Sequence, residues 1–137
     1  MRKIIITLLL LVASSGAMAE WTMVAGDAHG SYDAYVDFST ISKTGTTVKM
    51  WRLLNYKNTQ VSGKVSYLSN AIQNEYDCKE GQSRVLAIVE FSGKMSSGNV
   101  VLGVDVSGLS ARSPAKSNSV GKSLLDIACG TQYVSAE

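Results

Sequence analysis

Glu75-Tyr76-Asp77-Cys78-Lys79-Glu80-Gly81-Gln82-Ser83-Arg84 is the stretch on which the fold turns. An alternating run leads into it from Lys64 and an apolar run leaves it at Val85, so it reads as the junction of two strands. It holds Cys78, one of two cysteines; the other, Cys129, stands just before Gly130. In the approach strand Leu68, Ile72, Tyr76 and Cys78 share one face, while Tyr67, Ser69, Gln73, Glu75 and Asp77 share the other. Cys78 therefore points to the apolar side, where a packed helix is expected.

Whether the two cysteines pair depends on compartment. Arg2 and Lys3, the apolar residues 4–12 and the small-residue site Ala17-Met18-Ala19 read as a secretory signal peptide over residues 1–19, cut between Ala19 and Glu20. The apolar run is too short to span a bilayer, and no second one follows. No cysteine lies near the cut, so no lipid anchor is expected, and the product is read as periplasmic or secreted. In such a chain two cysteines are most simply a disulfide. A reactive thiol pair is disfavoured because no Cys-x-x-Cys spacing is present to tune a thiolate. Closing a loop of about 50 residues would stabilise the fold by roughly 4 kcal/mol.

Of 137 residues, 118 remain after the signal, enough for the single domain read over residues 20–137. The chain's charge of +2 leaves with Arg2 and Lys3, so eleven basic residues balance eleven acidic ones. A nucleic-acid binder needs a basic surplus to displace counterions, so no nucleic-acid partner is expected.

Working outward, residues 21–25 and 31–38 read as paired strands around the turn residues 26–30, with Tyr32, Ala34, Val36 and Phe38 on one face and Asp33, Tyr35 and Asp37 on the other. Residues 39–45 read as a loop or a single helical turn, and 46–56 as a strong strand. Its apolar face of Val48, Met50, Leu54 and Tyr56 is interrupted by Arg52, and Trp51 and Leu53 share the opposite face. A polar turn is expected at 58–63. The run Val85-Leu86-Ala87-Ile88-Val89 reads as a central strand buried on both faces. Residues 99–106 form a last strand with Val100, Leu102, Val104 and Val106 on one side. The period then changes: Val120, Leu124, Ile127 and Ala128 form a helix stripe, Ser117, Asn118 or Ser119 can cap its start, and Gly130 suits its end. The expected fold class is α+β, an antiparallel sheet of about five or six strands with one C-terminal helix on a face, stapled by a disulfide.

The chemistry-bearing motifs are sparse. Gly121-Lys122-Ser123 resembles the tail of a phosphate loop, but Lys116 stands where its first glycine belongs. Ser113-Pro114-Ala115-Lys116 and Lys43-Thr44-Gly45 match serine-enzyme motifs in reversed order, in a chain too short for that fold. His29, the sole histidine, has Asp27 and Ser31 as neighbours in one surface turn, where no concave support is expected. With both cysteines paired, no zinc or other metal site and no cofactor is expected. Glu75, Asp77, Glu80 and Arg84 gather around Cys78; the reading favoured is structural, with Arg84 tethering Asp77 or Glu75. Of the aromatic residues, Trp51, Tyr35 and Tyr67 are the candidates for an exposed binding patch, while most others read as core.

The chain resembles the surface-adhesin protein E family. The features that carry the likeness are Trp21, Val36-Asp37 followed by Ser39-Thr40-Ile41, Val48-Lys49-Met50-Trp51, Glu75-Tyr76-Asp77-Cys78 with Arg84, then Pro114 to Ser119, the short helix and Cys129. The resemblance implies a β-rich domain joined by a Cys78–Cys129 bond and a non-enzymatic binding role toward a protein partner, a host matrix or envelope protein. The namesake type is lipid-anchored, whereas here the lipid-acceptor cysteine is missing. An exported adhesin-like binding domain is thus the first expectation, and a structural or accessory subunit of an envelope complex the rival. An exposed aromatic patch favours the first, and a long unpaired sheet edge the second.

Overall fold

The computed structural model describes residues 19–130. Residues 1–18 of the expected signal peptide therefore lie outside the described residues, while Ala19 and Glu20, either side of the expected cut, are exposed and precede the first strand. In chain order come β1 (Thr22–Gly26), β2 (Tyr32–Val36), a 3-10 turn (Phe38–Thr40), β3 (Ser42–Thr44), β4 (Thr47–Ser62), β5 (Val65–Asp77), β6 (Gln82–Phe91), β7 (Val100–Asp105), β8 (Ser113–Pro114) and α1 (Val120–Cys129). The strands form one antiparallel sheet in the order β1-β2-β4-β5-β6-β7, with β3 added to β4 and β8 to β6. The architecture is the α+β fold expected, but the sheet has eight strands rather than five or six. The two extra ones, three and two residues long, lie in polar stretches too short to show a period.

The β4–β5 hairpin is the spine of the sheet. Its pairing runs from Thr47–Asp77 to Ser62–Val65, so the turn expected over 58–63 shrinks to Gly63-Lys64. Gly63 supplies the positive φ of 59° that this tight reversal needs. The polar residues before it continue the strand because the hairpin extends beyond the core, where both faces meet water. Between the pairs Asn55–Ser69 and Gln60–Tyr67 the ladder breaks, with four residues of β4 opposite one of β5.

Register fixes the two faces. Val36, Val48, Met50 and Tyr76 pack with Leu124, Leu125 and Ala128 of α1, and both cysteines lie against this cluster. The helix begins at Ser119, whose hydroxyl accepts from the Lys122 N–H, and ends at Gly130 with φ 63°. It packs chiefly on β1, β4 and β5. That position explains two corrections. The apolar run of β6 is not buried on both faces, since only Leu86 and Glu90 there are buried. The side chains of β7 at the sheet edge are left largely exposed. A third correction concerns Phe38. The strand stops at Val36, because the Asp37 carboxylate accepts from the Ser39 N–H at 3.0 Å and turns the chain; Phe38 is then exposed instead of sharing a face with Val36.

Candidate functional site

Cys78 follows β5 and Cys129 ends α1; they are bonded, with Cα atoms 5.6 Å apart and a separation of 51 positions in sequence. No other cysteine is present among the described residues. The bond clasps the end of the hairpin to the last turn of the helix.

Beside the clasp, on the opposite sheet face, four charged side chains close on one another. Glu75 and Arg84 are direct cross-strand partners, and Arg84 Nε donates to Glu75 Oε1 at 3.1 Å. Arg112, from the loop before β8, donates through Nη2 to the same oxygen at 3.2 Å and through Nη1 to Asp77 Oδ2 at 2.7 Å. Asp77 Oδ1 accepts the N–H groups of Lys79 and Glu80, which forms the turn into β6. Arg84 Nη1 donates to the Ser107 carbonyl at 3.0 Å and so ties down the loop after β7. Burial pushes the Glu75 carboxyl up, but the two guanidinium groups outweigh it and hold the group below the usual carboxylate range. Arg84 thus meets Glu75, while Asp77 is taken by Arg112, 35 residues away, which sequence reasoning missed. The only hint was arithmetic: two acids with one arginine between them. Glu80 contributes its backbone N–H and stays exposed.

The three aromatic candidates separate. Tyr35 and Trp51 are half-buried on the face opposite α1, since they alternate with the core residues Val36 and Met50. Tyr67 does not join them. The break in the β4–β5 ladder defeats strict alternation, and its ring meets Tyr56 edge-on at 5.8 Å, which in turn meets Tyr32 at 5.6 Å. Near that row Glu90 is buried opposite Asn70. Neither Glu90 Oε2 nor Asn70 Oδ1 has a hydrogen-bond partner among the described residues. Burial pushes the Glu90 carboxyl up, and burial followed by the charge of Glu90 does the same to the Tyr67 phenol.

Around His29 the surface is not flat, contrary to expectation. The β1–β2 turn and the first turn of α1 wall a recess of about 520 Å³ holding Asp27, His29, Ser119 and Ser123. The serine hydroxyls in and beside it are committed. Ser31 donates to Asp27, Ser119 to the Lys116 carbonyl at 2.6 Å, and Ser123 to the Ser119 carbonyl at 3.4 Å. Among the described residues no serine is hydrogen-bonded to the histidine, so those residues do not assemble the pieces of an acyl-transfer centre. Among the described residues no cluster of three His, Cys, Asp or Glu side chains could hold a metal, and no helix is long and apolar enough to cross a membrane.

These features define a class: a small α+β domain whose single described α-helix is clasped to an antiparallel sheet, with a charged cluster beside the clasp that holds loops. The profile of the surface-adhesin protein E family matches residues 21–130, and the chain belongs to that family. Solved structures of Haemophilus influenzae protein E share the fold. Crystal form II superposes with a TM-score of 0.57 at 12% identity, covering 82% of this chain and 98% of that one. The selenomethionine form gives 0.58 at 10% identity, covering 84% and 89%. A structure from the non-typeable organism gives 0.54 at 11% identity, covering 85% and 88%. Comparison with curated proteins gives no match.

Proposed function

We propose that residues 20–137, freed from the signal peptide, act outside the cytoplasm as a non-enzymatic binding domain that engages a protein partner along the β7 edge of the sheet. Family membership supports the adhesin-like role. The observation that carries the choice of surface is the exposure of Val100, Leu102 and Val104, at 61%, 36% and 40%, on a strand with neighbours on one side only. Such a strand offers backbone donors and acceptors to an incoming strand, and apolar side chains give it something to bury. Tyr35 and Trp51, half-buried on the helix-free face, are a smaller surface for the same role.

The same edge favours a second reading, an accessory subunit of an envelope complex, because strand addition is a common way to build one. Binding of purified domain to immobilised host matrix proteins, with Val104→Lys as the control, tests the first. The variant is expected to weaken binding roughly tenfold, about 1.4 kcal/mol. Undiminished binding by the variant removes β7 from the interface. Protection from protease on intact cells, together with co-purification of an envelope protein, moves the role to the second reading.

A further inference from the structure

We propose that Arg52 is the anchor of a binding site for a small organic monocarboxylate, in the recess between the sheet and the first turns of α1.

Arg52 lies on the helix-covered face of β4. Its direct neighbours across the sheet are Val36 on one side and Ile72 on the other, both buried and apolar. A guanidinium in such surroundings is costly unless it is matched by an anion. Arg84 and Arg112 each have one, at 3.1 Å and at 2.7 Å. Arg52 has none: no carboxylate of the described residues lies within ion-pair distance of it. Its one side-chain hydrogen bond among the described residues runs from Nε to Asn74 Oδ1 at 2.8 Å. Asn74 is itself buried and donates to the Arg84 carbonyl at 3.3 Å, so it positions the guanidinium rather than neutralising it. With Nε engaged, the two terminal nitrogens remain, and these form the end-on fork that grips a carboxylate with two parallel bonds.

The space in front of that fork suits a ligand. Arg52 lines a recess of about 390 Å³ together with Tyr32, Tyr56, Tyr76 and Ser83, closed on the helix side by Val120 and Leu124. That volume is in the range of small-molecule sites, and its lining sets tyrosine, serine and asparagine groups beside the aliphatic side chains. The Tyr76 phenol is pushed up to about 12, by burial in the first place, with the charge of Arg52 drawing it back. Tyr56 shows the same opposition of burial and Arg52. The positive field therefore reaches the tyrosine rings that wall the recess.

One cation sets the ligand's charge. Inorganic phosphate would bring up to two negative charges to a single guanidinium and leave the tyrosine and aliphatic walls uncovered. A monocarboxylate with a flat or aliphatic body matches both the charge and the walls.

Sodium benzoate is the probe, titrated into the intact domain and followed by amide and aromatic NMR shifts. The expected result is saturable shifts at Tyr32, Tyr56 and Val120 with a dissociation constant of about 1 mM, as small fragments give. Benzamide, of the same shape without charge, is expected to bind at least tenfold more weakly, and so is benzoate to Arg52→Gln. Inorganic phosphate is expected to be the weaker anion. Shifts that fail to saturate or map elsewhere overturn the proposal, as does equal binding of benzamide. Phosphate binding as tightly as benzoate overturns the organic ligand. Should Arg52→Gln not fold, Arg52→Lys keeps the charge without the fork and is expected to bind several-fold more weakly; unchanged affinity in that variant counts against the proposed geometry.

Discussion

Glu75 and Glu90 sit on one sheet, 9% and 6% exposed, and yet their carboxyl groups move in opposite directions. Glu75 lies at the clasped end, where two arginines hold it charged. Glu90 lies toward the far end of the sheet, where burial acts unopposed. Arg52 completes the contrast, as a half-buried cation without an acid partner among the described residues, on the same face as Glu90 but not paired with it. Burial alone therefore says little about a charge; the neighbours decide. One end of the molecule closes its charges and is built for rigidity. The other leaves polar groups unmatched, and unmatched buried groups are where ligand chemistry has room to act.

The comparison is most severely tested by opening the closed end. Cys78→Ser and Cys129→Ser are each expected to cost about 4 kcal/mol and to lower Tm by roughly 15 °C or more, equally, because either removes the same constraint. Thermal unfolding of both variants checks this; unequal losses mean that one sulfur contributes packing beyond the bond. Next in size is Arg112→Ala, which strips Asp77 of its ion partner and leaves Glu75 with Arg84 alone. Since the arginine side chain is partly exposed, a loss of about 1–2 kcal/mol is expected, between the values for surface and buried pairs. The Glu75 carboxyl is held below its unfolded value. Its contribution is therefore present above pH ~4.3 and lost as pH falls through the depressed folded value. Denaturant titrations should accordingly show the gap between wild type and Arg112→Ala narrowing in acid. A gap independent of pH would mean that Arg112 acts by packing.

Much of this arrangement was legible in the chain. Alternation over β2, β4 and β5, the change of period at Val120 and the two cysteines together suffice for the sheet, the helix and the clasp, because each rests on a repeated local pattern. What was not legible depends on single contacts across long loops. Arg112 is one polar residue in a stretch without a period, and nothing local ties it to Asp77. The extension of β4 past Tyr56 is mostly polar and reads as a turn. Tyr67 was placed by alternation, which the break opposite Leu68 defeats. Arg52 is a different case. Its interruption of an apolar face is visible in sequence, but only the fold shows that no acid of the described residues comes to meet it.

Glu90 offers the finest test of the difference between the two ends. Its folded carboxyl is raised, so the folded state keeps its proton to higher pH than the unfolded chain does. The stability it brings is then fully present below pH ~4.3 and is lost as pH rises through the folded value, opposite in sign to Glu75. Glu90→Gln removes the charge and sets an amide donor directly across the ladder from Asn70, whose Oδ1 is an acceptor left without a partner among the described residues. The variant is expected to be more stable than wild type by about 1 kcal/mol at neutral pH, the size of one well-made hydrogen bond. In acid the advantage should shrink toward zero, because protonated Glu90 can make the same donation to Asn70. Urea unfolding at pH 4 and pH 7 measures both. A variant less stable at neutral pH would show that the Glu90 carboxylate is matched by a cation in solution, and the asymmetry between the two ends would be lost.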